Sequence, residues 1–180
     1  GTGGAFDHAH GGFEVVGVDK LPQPLYPFEF HQADAIEYVR EHGHEFDVIH
    51  ASPPCQAHSS ITPDKSKHVD LIPETRAALI DVGRPYVIEN VEGAKRALVD
   101  AVRLCGSSFG LKVRRHRYFE SNVHLWSMSC MHETQGRPIG VYGDHDAMMV
   151  LKSTFPQLKV LSIQTLKRAL ISYLLLGWTG

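Results

Sequence analysis

No stretch of this chain stays apolar for the roughly 20 residues that a helix needs to cross a bilayer. The longest such run, Ile171 to Leu176, is far shorter and follows Lys167 and Arg168, so a membrane-spanning protein is not expected. Cysteine is scarce: Cys55, Cys105 and Cys130 are odd in number, widely spaced and form no CxxC pair. That argues against a disulfide framework and fits a reducing, cytoplasmic setting. No leader peptide is visible, since Gly1 opens directly into a glycine-rich segment. There is no excess of one charge: 18 Lys+Arg face 20 Asp+Glu, for a net −2 with the twelve histidines neutral. The strongly basic overall balance common among nucleic-acid binders is therefore missing. Internal repeats and low-complexity linkers are missing as well. What remains, 180 residues that are 43% hydrophobic and 21% charged, is the composition of a soluble globular domain with a real core.

Charge is unevenly placed along this balanced chain. Lys112, Arg114, Arg115, His116 and Arg117 form a dense basic cluster, and beyond Asp146 the chain carries Lys152, Lys159, Lys167 and Arg168 with no acid. Such runs are ordinarily solvated faces; contact with phosphate is the alternative, and it would show as salt dependence.

Runs rich in Val, Ile and Phe predict strands at Phe13–Val18, Phe46–Ala51, Pro85–Val91, Tyr118–Glu120 and Pro138–Val141, with a further strand-like segment at Phe28–Phe30. Between them Ala33–His42 places Ala35, Ile36 and Val39 on one helical face, and Pro73–Val82 starts with proline and stops before Gly83. Glu92–Leu104 is a third expected helix. Alternating strands and helices predict an α/β fold with a mainly parallel sheet. Its first strand is expected to be missing, because Gly1-Thr2-Gly3-Gly4 reads as the turn that follows a strand. The expected division is a catalytic domain over 1–150 and a basic, apolar helical tail over 151–180.

Chemistry concentrates at strand ends. Phe46 to Gln56 reads FDVIHASPPCQ, an apolar run, two prolines and then Cys55. The prolines stiffen the approach to the thiol, and a nucleophile on a rigid turn at the carboxyl end of a strand faces the crevice of an α/β sheet. Alone, a buried inert cysteine would be the better reading. Gly1, Gly3 and Gly4 followed by a strand ending at Asp19 form a truncated nucleotide-type fingerprint. Asp34 stands in the same relation to the next strand, or else caps the helix from Ala35. Glu89 and Asn90 follow three apolar residues, which puts a carboxylate at the carboxyl end of another strand, where it could serve a ring nitrogen. Arg115 and Arg117 would project to one side of an extended backbone.

Taken in order, GTGG, Asp19, Asp34, Pro54-Cys55-Gln56, Glu89-Asn90-Val91 and the Arg115/Arg117 pair resemble the cytosine-5 DNA methyltransferase family, in particular its small phage and prophage members. The motifs span about residues 1 to 143, and their conjunction is specific although each is weak alone. The resemblance implies a Rossmann-like S-adenosylmethionine-dependent methyltransferase fold acting on double-stranded DNA, in a bacterial or phage-infected cytoplasm, with no obligate protein partner and no metal. It implies that Cys55 adds to carbon 6 of a flipped cytosine, that Glu89 engages N3 and the exocyclic amine, and that Arg117, supported by Arg115, holds the carbonyl. Asn90 would order the Pro54-Cys55 loop. Gly1, Gly3, Gly4 and Pro54 would line the cofactor pocket, Asp19 would take the ribose hydroxyls and Asp34 the adenine amine. Val113 stands where the family carries a polar residue, and only a minimal target-recognition segment, about 121–136, is present.

Other readings stand beside this one. A thymidylate-synthase-like pyrimidine methylator also presents a Pro-Cys nucleophile, and a methyltransferase-like module could bind nucleic acid without turnover. His50 and His58 flank the nucleophile, but with no oxyanion arrangement in view they read as supporting or DNA-facing groups. Cys130 and His132 offer two metal ligands without a second pair, which reads as a surface or core role. Cys105, beside Gly106 in an apolar setting, reads as packing.

Overall fold

The computed structural model describes residues 14–24 and 26–138. The glycine turn with Gly1, Gly3 and Gly4, the strand expected at Pro138–Val141 (all but Pro138) and the tail at 151–180 lie outside the described residues. Among the described residues, six strands and two α-helices follow one another as β1 (Val16–Asp19), β2 (Glu29–Gln32), α1 (Ala35–His42), β3 (Ile49–Ala51), α2 (Ile72–Val82), β4 (Tyr86–Asn90), β5 (Val102–Cys105) and β6 (His116–Ser121).

Local chemistry sets the helix boundaries. Asp34 caps α1, its Oδ1 accepting the N–H groups of Ile36 at 2.9 Å and Glu37 at 3.1 Å. Glu37 in the first turn and Arg40 and His42 in the last suit the helix dipole. α2 carries Pro73 in its first turn, where no N–H is needed. It ends at Gly83, whose φ of 71° is the left-handed conformation that glycine adopts without a Cβ clash.

The strands form two sheets. β1 and β2 pair in parallel, and a four-stranded sheet runs in the order β3-β4-β6-β5. β3 and β4 are parallel around α2, the expected βαβ unit, whereas β6 runs antiparallel to both β4 and β5. The fold is thus α/β, and its larger sheet is mixed: β3, β4 and β5 run one way and β6 the other. β5 and β6 are joined by only residues 106–115, and a parallel return needs a longer crossover, usually helical.

The helix expected over Glu92–Leu104 does not form. It is replaced by a short 3-10 turn at Glu92–Ala94, an irregular segment and β5. Local turn bonds hold the start of this stretch, and two backbone groups beyond them find distant side chains. The Ala97 carbonyl accepts from Arg76 Nη2 at 2.6 Å, and the Val99 N–H donates to Glu120 Oε2 at 2.8 Å. Asp100, with φ 45°, then turns the chain into β5.

The core lies on both faces of β4 and β6. Ile72 and Leu79 of α2 pack with Tyr86, Ile88 and Tyr118, and Ala94 and Leu98 complete that layer. Val87, Leu104 and Phe119 form the second layer. Fully burying each such Leu, Ile or Phe is worth about 1.5–3 kcal/mol. On the α2 side, Arg76 grips Glu120 through two bonds, Nε to Oε1 at 2.5 Å and Nη2 to Oε2 at 2.6 Å. The Glu120 carboxylate bonded to it is the chief reason the Arg76 guanidinium sits above its ordinary pKa.

Candidate functional site

The loop that leaves β3 carries Cys55, and it is fastened before that residue to the end of β4 and after it to the segment that follows β4. Before the cysteine, the Ser52 hydroxyl donates to Glu89 Oε2 at 2.8 Å, and the Asn90 amide donates to the Pro53 carbonyl at 3.1 Å. Asn90 Oδ1 accepts the Val91 N–H at 2.8 Å, so this side chain joins the loop to the end of β4 from both of its ends. After the cysteine, the His58 carbonyl presses on Gly93, where a Cβ would lie 2.1 Å from the oxygen. Only glycine fits that approach. Between these anchors the chain turns back on itself, with the Cys55 carbonyl accepting the N–H groups of His58 at 3.0 Å and Ser59 at 2.8 Å. Cys55 is half-buried and not in a disulfide.

Glu89 is the hub of this arrangement. Its Oε2 takes the Ser52 hydroxyl, and its Oε1 lies 2.7 Å from Arg117 Nε, with both side chains 14% exposed. Arg117 comes from β6, which pairs with β4 in a register that sets Glu89 opposite Phe119. Alternation along β6 puts Arg117 on the Phe119 face, the same face that Glu89 shares with Val87. Arg117 Nη1 also donates to the His116 carbonyl at 2.9 Å, which fixes the guanidinium plane. Arg115 stands one residue before β6, half-buried.

A second pair supports the loop from behind. His58 Nε2 lies 3.0 Å from Asp70 Oδ1, and the same oxygen accepts the Ile72 N–H at 3.0 Å. Burial raises the Asp70 carboxyl, but the His58 contact and the Ile72 amide outweigh it and leave the group below its ordinary pKa. The expectation that His58 supports the loop is thereby given a partner.

The residues expected to hold a cofactor sit at the carboxyl ends of β1 and β2. Asp19 ends β1 and accepts the Leu21 N–H at 2.9 Å through Oδ1. Asp34 follows β2 and, besides capping α1, pairs through Oδ2 with Lys20 at 2.6 Å. That Lys20 contact, followed by the Glu37 amide, lowers its pKa. A carboxylate offers about four acceptor sites. The bonds described take one on Asp19 and three on Asp34. Pro54 is exposed in the Cys55 loop.

Sequence reading missed Ser52, which gains its meaning only from the parallel register of β3 with β4. It also missed a cluster of Cys105, His116, Cys130 and His132, whose four ligand atoms lie within 4.8 Å of one another. The basic cluster at 112–117 is partly engaged internally: Arg114 donates to the His132 carbonyl at 3.0 Å and to Gln135 at 3.1 Å. Val113 is buried, its carbonyl packed against Gly106. Among the described residues no helix is long and apolar enough to cross a membrane.

No protein-family model matches the chain, and no curated protein sequence matches it.

Proposed function

We propose that the chain is a DNA cytosine-5 methyltransferase of Rossmann-like fold, acting in the cytoplasm on double-stranded DNA, with Cys55 as the nucleophile. The observation that carries this reading is the Ser52–Glu89–Arg117 constellation. It puts a fixed carboxylate and a guanidinium beside a loop that holds a cysteine rigid between two anchors.

The chemistry follows from these positions. A cytosine swung out of the duplex would enter between Glu89 and the Cys55 loop. The Cys55 thiolate adds to carbon 6, forming the C–S bond while the ring double bond shifts toward carbon 5. Glu89 engages N3 and the exocyclic amine and steadies the charge that develops on the ring. Arg117, already locked to Glu89, presents its remaining donors to the ring carbonyl, and Arg115 supports it. S-adenosylmethionine, which Asp19, Asp34 and Pro54 would help to hold, would give its methyl group to carbon 5 and leave as S-adenosylhomocysteine. Loss of the carbon-5 proton and expulsion of Cys55 then restore the aromatic ring and the free thiol. Asn90 touches the loop rather than the base, so its part is positional.

Incubating the chain with methyl-labelled S-adenosylmethionine and, in parallel, duplex DNA, RNA or free cytidine nucleotide, then mapping 5-methylcytosine in the DNA by bisulfite sequencing, tests the reading. It is supported by 5-methylcytosine at a defined DNA word. Label confined to RNA, to free nucleotide or to no cytosine at all would refute it.

A further inference from the structure

We propose that Cys105, His116, Cys130 and His132 bind one zinc ion in tetrahedral two-sulfur, two-nitrogen coordination, at a structural site separate from the Cys55 crevice. Cys105 and His116 are direct partners across the β5–β6 pair, so the hairpin itself supplies two ligands side by side. The chain then leaves β6 and returns as Cys130-Met131-His132 to supply the other two.

The distances are those of a ligand set. Cys105 Sγ lies 3.2 Å from His132 Nε2, and Cys130 Sγ lies 3.4 Å from His116 Nε2. Zinc–sulfur bonds of about 2.3 Å and zinc–nitrogen bonds of about 2.0–2.1 Å give a tetrahedron edge of about 3.6 Å between sulfur and nitrogen. Small outward shifts would therefore open the cluster around an ion. The His116 and His132 rings stack at 5.3 Å with 20° between their planes, both turning Nε2 toward the sulfurs. Two thiolates with two neutral imidazoles are the donor set that favours zinc over oxygen-seeking cations.

The surroundings suit ligands rather than a chance meeting of side chains. The Ser107 hydroxyl donates to Cys105 Sγ at 3.2 Å and accepts the Met131 N–H at 3.1 Å, orienting one ligand and tying it to the segment that bears the other two. Arg103 Nη2 lies 3.9 Å from Cys130 Sγ, a cation beside that sulfur. Cys105 is fully buried and the other three are half-buried, so the site is enclosed, as structural zinc sites are. Residues 122–138 contain no helix or strand. A metal cross-link to the hairpin would do for this segment what secondary structure does elsewhere.

The test is metal analysis of the full chain, purified under reducing conditions and dialysed against metal-free buffer. The expected result is one zinc per chain. Cobalt(II) titrated into the zinc-stripped wild-type chain should give the intense visible bands of a tetrahedral site and thiolate-to-metal charge transfer. Cys130→Ser and His132→Ala should each lower bound zinc at least tenfold, His132→Cys should retain it, and Cys55→Ser should leave it unchanged. Should the two loss variants fail to fold, the wild-type cobalt spectrum decides alone. A wild-type chain without zinc and without tetrahedral cobalt bands, a spectrum with no thiolate charge transfer, or equal loss of metal in Cys55→Ser would overturn the proposal.

Discussion

Arg117 Nε and Glu89 Oε1 stand 2.7 Å apart, joining two neighbouring antiparallel strands at the edge of the loop that carries Cys55. The pair is largely shielded from water, and the Ser52 hydroxyl completes the carboxylate. Its members come from residues 28 positions apart in the chain and meet only because β6 inserts between β4 and β5.

Glu89→Gln keeps the shape but removes the charge. It should lower methyl transfer by about 10²–10⁴-fold, the range for losing a group that exchanges protons with a reacting ring. The unfolding midpoint should move by only a few degrees, since one hydrogen-bonding amide oxygen remains. Parallel measurement of turnover and thermal unfolding checks the split; near-normal turnover would remove Glu89 from the chemistry.

Arg76→Met should act in the opposite sense, on stability. Glu120 is 2% exposed and would be left as a buried charge without its bidentate partner. Breaking such a pair costs about 3–5 kcal/mol, or about 10 °C in the midpoint for a domain of this size. Denaturant titration should show this loss with a nearly unchanged slope; a loss under 1 kcal/mol would mean the pair is dispensable.

Asp34→Ala should cost about 1 kcal/mol through the lost helix cap. Because Lys20 and the α1 amides lower the folded-state pKa of Asp34, its stabilising effect is complete above the ordinary value of 3.8 and fades as pH falls through the depressed folded value. The gap between wild type and variant should therefore be constant from neutral pH down to mildly acidic conditions and close under stronger acid. A gap that widened on acidification would contradict the cap.

These particulars show where the sequence was readable. α1 and α2 were legible because their ends are fixed by their own residues, Asp34 at one start and Pro73 and Gly83 bracketing the other. The carboxylate at the end of β4 was legible for the same local reason, three apolar residues and then Glu89. Glu92–Leu104 was not, because Arg76 and Glu120 satisfy the Ala97 and Val99 backbone from far along the chain. That misreading also hid the proposed zinc cluster. With residues up to Leu104 taken as helix, Cys105 had no strand partner, and its pairing with His116 could not be foreseen. Cys130 and His132 therefore looked like half a site. Ser52 gave no signal of its own, since a serine after a strand is commonplace; its meaning comes from the parallel register with β4.

The nucleophile assignment is tested most directly by trapping. Duplex DNA carrying 5-fluorocytosine at the methylated position blocks the final proton loss, so an enzyme that attacks carbon 6 remains attached. With S-adenosylmethionine present, the wild-type chain should form a denaturation-resistant adduct that peptide mass spectrometry maps to Cys55, and Cys55→Ala should form none. An adduct that survives Cys55→Ala, or no adduct with a wild-type chain that methylates DNA, would contradict the role given to Cys55.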